Sequence, residues 1–110
     1  MPTIDELFDE ANGSLAIGEL EQAAELYRKT TEMDSTFFDG WHALGMVLMK
    51  LERYPESIAV MQKLIELRPN DMMAYTSLSI AYVRNGQIPE AEAMNAKVRI
   101  LSWGGKVVKE

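Results

Sequence analysis

The chain has 110 residues, enough for one domain with a modest core and too few for two ordinary ones. A hydrophobic share of 47% and a charged share of 25% exclude disordered and membrane-embedded classes. The absence of cysteine excludes disulfides and thiolate metal sites, and a formal net charge of −6 argues against nucleic acid, whose phosphates need clustered Lys and Arg.

Thr3 followed by Glu6 forms a capping-box pattern, so a first helix is expected from there to about Ala16, with Gly18 supplying the turn. Asp5, Glu6, Asp9 and Glu10 stand where a secretory signal would need a basic and then an apolar run. With no cysteine and no long apolar stretch, this points to a soluble, cytoplasmic protein. A second helix spans about Leu20 to Met33, its apolar stripe formed by Leu20, Ala23, Ala24, Leu26 and Tyr27. Ser35 or Thr36 is expected to cap the third helix, which carries Trp41, Leu44 and Leu48 on one face and ends near Leu51.

Pro55 and Pro89 fall in the first turns of the fourth and sixth helices, where a missing N–H is harmless, and each is followed by a glutamate that suits a helix N-terminus. Pro69 ends the fourth helix, Asn70 or Asp71 caps the fifth, and Gly86 closes it in the left-handed conformation. The sixth helix runs from about Pro89 to Ser102, Gly104-Gly105 stops it, and Lys106 to Glu110 read as a frayed tail.

Residue classes recur along the chain at a lag of 34. The series are Leu7, Trp41, Tyr75; Leu20, Tyr54, Ile88; Ala23, Ser57, Ala91; Thr30, Leu64, Val98; and Met33, Leu67, Leu101. The middle unit has Trp41, Leu44, Gly45, Leu48, Ser57, Met61 and Pro69 in one register, and the third has Tyr75, Leu78, Ser79, Tyr82 and Ala91. The first is weak in its opening helix, with Glu10 and Ala11 in the Leu-Gly places, and strong from Gly18 to Tyr27. On these residues the chain resembles the tetratricopeptide repeat (TPR) family over roughly residues 4–105.

The resemblance implies an all-α, right-handed superhelical stack of three antiparallel helix-turn-helix hairpins. A single domain is expected over 1–110, with repeats at about 4–37, 38–71 and 72–105 and a tail at 106–110. A lone hairpin leaves its apolar stripe open, so stacking is obligatory. Trp41 and Tyr75 are expected as wedges, and Gly45 and Ser79 where helices approach closely.

No nucleophile, base and orienter trio is legible, nor a phosphate loop, and His42 has no metal-ligand spacing around it, so neither enzymatic activity, metal nor cofactor is expected. The resemblance instead implies a protein-interaction adaptor or scaffold whose odd-numbered helices line a concave groove. Helical spacing from the packing positions puts Phe8 and Asn12 of the first helix there, His42, Met46 and Met49 of the third, and Met73, Thr76, Ile80 and Val83 of the fifth. That lining is apolar and rich in methionine, which implies a protein or peptide partner with an apolar segment. Chaperone-binding members clamp a C-terminal carboxylate with lysine, asparagine and arginine; only Asn12 matches, the other places holding Phe8, Ala43, Met73 and Ser77, so such a clamp is not expected.

The alternative is self-association into a homo-oligomer through an uncapped last helix, using Met94, Val98, Leu101 and Trp103, unless Trp103 and Val107-Val108 fold back over it. Charge is also uneven: residues 1–39 carry ten acidic and two basic side chains (−8), residues 40–110 seven acidic and nine basic (+2). The acidic part reads as a solvated helix pair; steering of a basic partner and head-to-tail self-association are its other readings.

Overall fold

The 34-residue lag is written most plainly into the turns. Positions 18, 52 and 86 all adopt positive φ, at 82°, 61° and 78°, and in each case the next residue's N–H reaches back over the end of the helix. These bonds run from Glu19 to the Ser14 carbonyl, from Arg53 to Leu48 and from Gln87 to Tyr82, at 2.9, 2.9 and 2.8 Å. This left-handed closure favours glycine, and the chain supplies it at 18 and 86 but uses Glu52 in the middle unit.

The computed structural model describes residues 1–108. Six helices and no strand occur among them: α1 (Ile4–Ala16), α2 (Leu20–Met33), α3 (Phe38–Lys50), α4 (Tyr54–Leu67), α5 (Met72–Arg84) and α6 (Ile88–Ser102). They pair as antiparallel hairpins, α1 with α2, α3 with α4 and α5 with α6, and the hairpins stack through α2 on α3 and α4 on α5 in a right-handed superhelix. Among the described residues no helix is long and apolar enough to cross a membrane.

The caps follow their chemistry. Thr3 and Glu6 form the reciprocal capping box, each backbone N–H bonded to the other's side chain at 3.1 Å. Hydrogen bonding from Thr3, its backbone N–H first and its side chain second, holds the Glu6 carboxyl below its ordinary value. Asp71 caps α5 by accepting from the Met73 N–H at 2.8 Å. The expected cap at Ser35 or Thr36 is not formed. The Asp34 carboxylate holds both the backbone N–H and the hydroxyl of Thr36, at 2.9 and 2.7 Å, and α3 begins after Phe37 with no side-chain cap.

Two linked cores hold the stack. The first joins Leu7 and Ala11 of α1, Ala23, Ala24, Leu26 and Tyr27 of α2, and Leu44, Val47 and Leu48 of α3; Val60 of α4 completes it. The second joins Ile58, Met61 and Leu64 of α4 to Ala74, Leu78, Ala81 and Tyr82 of α5 and Ala91 of α6. Trp41 packs against both, its indole N–H bonded to the Ser35 carbonyl at 2.9 Å. Tyr75 is 1% exposed and donates to the Pro69 carbonyl at 2.6 Å. A lysine of the partner helix lies over each ring, Lys63 over Trp41 and Lys97 over Tyr75, again one repeat apart.

Within the middle hairpin α3 and α4 approach closely at Gly45, where a Cβ would lie 2.7 Å from the Met61 Cγ. The Ser57 hydroxyl bonds the Gly45 carbonyl there at 2.7 Å, and in the third hairpin Ser79 bonds the Ala91 carbonyl at 3.2 Å and the Asn95 side chain at 2.8 Å.

The tail differs from the frayed segment expected. Asn70 Oδ1 accepts the N–H groups of Val107 and Val108 at 2.9 and 3.0 Å, and its Nδ2 donates to the Val108 carbonyl at 2.8 Å. One side-chain amide thus pins the tail to the α4–α5 loop, a task open to Asn70 because Asp71 does the capping. The expectation for Lys109 and Glu110 lies outside the described residues.

Candidate functional site

On the inner face, α3 lies directly beside α5, and the residues expected to line the groove fall into three groups. Met73, Ile80 and Val83 are open, at 44%, 43% and 50% exposure, with Thr76 exposed between them on α5. Met46 is half-buried on α3. Met49 differs from the expectation of an open contact: at 5% exposure it belongs to the second core, because that position of α3 turns toward α4 and α5.

The polar members are engaged with the protein itself. Asn12 accepts the Tyr27 hydroxyl at 2.5 Å, and Phe8 packs its ring 5.5 Å from Tyr27 and 5.4 Å from Phe37. Phe8 and Asn12 therefore close the α1 end of the inner face as an ordered cluster. His42 bridges to α5 through Nε2 and the Ser77 hydroxyl at 3.2 Å, with its ring stacked near Phe38. Desolvation lowers the His42 pKa, opposed by the charges of Asp39 and Asp71. Thr76 returns its hydroxyl to the Met72 carbonyl.

Met46 and Ile80 are brought together. With Met49 as floor they line a depression of about 230 Å³ between α3 and α5, whose remaining walls are Lys50 and Arg84. Those two cations were missed by reading the lining for apolar residues alone. The signal was available, since they stand 34 apart, each in the last turn of its helix.

The residues expected to make an open face on the last helix are placed differently. Met94 packs against the second core, and Val98 and Leu101 share the stripe that starts at the buried Ala91, so all three are half-buried. Of the four, only Trp103 stands open, at 80%. The face where a further hairpin would stack is given by the register. Ile58, Met61 and Ile65 of α4 meet α5 there, and α6 holds Glu92, Asn95 and Arg99 at the same places, all exposed.

Models of the tetratricopeptide repeat match residues 38–71 and 60–93, which together span just over half of the chain. Among curated proteins, a tetratricopeptide repeat-containing protein of Caenorhabditis elegans, trd-1, is 32% identical over 71 residues, covering 64% of this chain and 9% of its own length. A peroxisomal targeting signal receptor of Pichia angusta is 31% identical over 67 residues, 61% of this chain and 12% of the receptor. The chain thus spans only a small part of the curated relatives it matches. Among solved structures, MamA superposes with a TM-score of 0.87 at 20% identity, over 93% of this chain and 60% of that one. The second TPR of Spaghetti (RPAP3), bound to an HSP90 peptide, superposes with a TM-score of 0.80 at 22% identity, over 89% and 91%. At these identities the two structures establish the fold.

Proposed function

The chain belongs to the tetratricopeptide repeat family, and on that premise we propose that it is a non-enzymatic adaptor or scaffold that binds an apolar peptide or helix on its inner face. One observation carries the reading: the row of open Met73, Ile80 and Val83 beside the depression that Met46 and Ile80 share. Apolar side chains gathered on one face and flanked by polar ones are the usual mark of an interaction site. Methionine adapts its shape to varied partners. Phe8 and Asn12 bound this site at the α1 end, and His42, Met49 and Thr76 give it its floor and polar contacts. A peptide-bound relative of the same fold, RPAP3, supports the mode of binding, and a receptor for a peroxisomal targeting signal supports recognition of a protein segment. The partner would be met in the cytoplasm.

The test is selection of peptides from a displayed library, followed by titration of the selected sequences against the protein and its Met46→Glu, Ile80→Glu variant. Both positions are at least partly exposed, so circular dichroism should show the variant folded. Selected peptides should carry apolar residues at helical or extended spacing and lose at least about tenfold in affinity for the variant, or about 1.4 kcal/mol. Equal binding to both proteins would remove the inner face as the working site. Self-association through α6, the other reading, is less supported, since Trp103 is its only fully open member.

A further inference from the structure

Resting on that groove reading, we propose that the bound segment is acidic as well as apolar: one large apolar side chain seats between α3 and α5, and carboxylates beside it engage Lys50 and Arg84.

The size of the site comes first. A depression of about 230 Å³ is smaller than the roughly 300–1,000 Å³ of small-molecule sites, and it lacks the convergent polar groups that orient a cofactor. It suits a single side chain of a longer segment. Its floor and near wall, Met46, Met49 and Ile80, are wholly aliphatic and thioether, so that side chain is apolar.

The rim decides the charge. Lys50 and Arg84 are both exposed and neither is in an ion pair among the described residues, whereas Arg28 and Arg53 are paired across hairpins with Glu56 and Glu21. Cations in the last turn complement a helix dipole, which accounts for a charge near the end of each helix but not for both charges facing one apolar depression. The corresponding residue of α1 is Ala16, so the pair is confined to the α3–α5 half. The first turns of α1 and α3 carry Asp5 and Asp39, and Asp71 caps α5. The inner face is therefore acidic toward the start of α1 and α3 and basic toward the end of α3 and α5. A carboxylate-bearing segment is favoured only at the second of these edges.

This is a different anion site from the family's carboxylate clamp, whose cationic places hold Phe8, Met73 and Ser77 here. Two cations with aliphatic neighbours also fall short of a nucleic-acid footprint.

The test uses three fluorescein-labelled peptides that share one leucine-anchored backbone and carry Glu, Gln or Lys beside the anchor, titrated by fluorescence anisotropy. At low salt the Glu peptide should bind several-fold to about tenfold tighter than the Lys peptide, and the gap should close near 1 M salt, where screening acts within about 3 Å. The Lys50→Glu, Arg84→Glu variant, altered only at exposed side chains, should reverse the order. If all three peptides bind alike, or the variant keeps the original order, the acidic assignment fails while the groove reading stands. If none binds at millimolar concentration, both fall.

Discussion

Replacing Gly45 by alanine should destabilise the protein even though alanine is the better helix former. The new Cβ would lie 2.7 Å from Met61 Cγ and 3.1 Å from Cε, against a side chain with no exposed surface. The near atom is Cγ, close to the backbone of α4, so a swing of the methionine's far end does not relieve the contact. Overpacking of this kind costs about 1–3 kcal/mol. Helix propensity returns about 1 kcal/mol, which leaves a net loss of up to about 2. In a Met61→Ala background, itself lower by about 2–5 kcal/mol, the obstruction is gone. There Gly45→Ala should stabilise by about 1 kcal/mol. The two backgrounds thus differ in sign, a coupling of about 1–3 kcal/mol where independent sites add within about 0.5. Urea titrations of the four proteins, followed by far-UV circular dichroism, measure it. Equal stabilisation by alanine in both backgrounds would refute the close approach of α3 and α4. Gly45→Leu should lose more than alanine in either.

Glu52→Gly should raise the thermal midpoint. Relieving a left-handed residue returns about 1–2 kcal/mol, of which added freedom of the unfolded chain takes back about 0.4–1; a lower midpoint would show that Glu52 is held by something other than its turn. Asn70→Ala removes its hydrogen bonds to Val107 and Val108, so amide exchange at those two residues should speed up markedly while exchange in α3 and α5 stays unchanged. Acidification should weaken the fold through His42. Its folded-state pKa is depressed by burial, so its contribution is complete above the unfolded value near 6.5 and is lost as pH falls from there through the folded pKa. The urea midpoint should therefore fall between about pH 7.5 and 5.5, and a His42→Gln variant should show a smaller fall over that range.

The helices were legible because each is marked twice, by its apolar stripe and by its place in the 34-residue register. Tyr75, Trp41 and Gly45 occupy the roles that spacing assigned them. What spacing did not reveal was competition among polar groups for one another. Thr36 is not the cap because α3 starts one residue later, with Phe37 at the N-cap position, while the Thr36 N–H and hydroxyl are turned back to the Asp34 carboxylate. Val107 and Val108 are held by an amide that the sequence offers equally as a helix cap. On the inner face, three-and-four spacing brings Met73, Thr76, Ile80 and Val83 to one exposed side of α5, whereas on α3 it leads from the half-buried Met46 to Met49, which is buried in the second core and reaches only the floor of the depression.

The apolar stripe of the last helix is not an open end, since α6 packs on α5 and Met94, Val98 and Leu101 are half-buried there. The register shows what closes both ends of the stack. Leu44 and Val47 of α3 are buried against the first hairpin, and Leu78 and Ala81 of α5 against the second; the same places on α1 hold Glu10 and Gly13. At the other end Glu92, Asn95 and Arg99 stand where Ile58, Met61 and Ile65 join α4 to α5. Stacking another hairpin or a second copy on either face would bury charges with no partner provided for them, a penalty of several kcal/mol per ion. The protein should therefore sediment as a monomer. Glu92→Ile, Asn95→Met, Arg99→Ile, which gives α6 the outer face of α4, should make it associate with rising concentration. A wild-type dimer that Leu101→Glu dissociates would overturn this, because a solvated end face leaves Leu101 no second copy to meet.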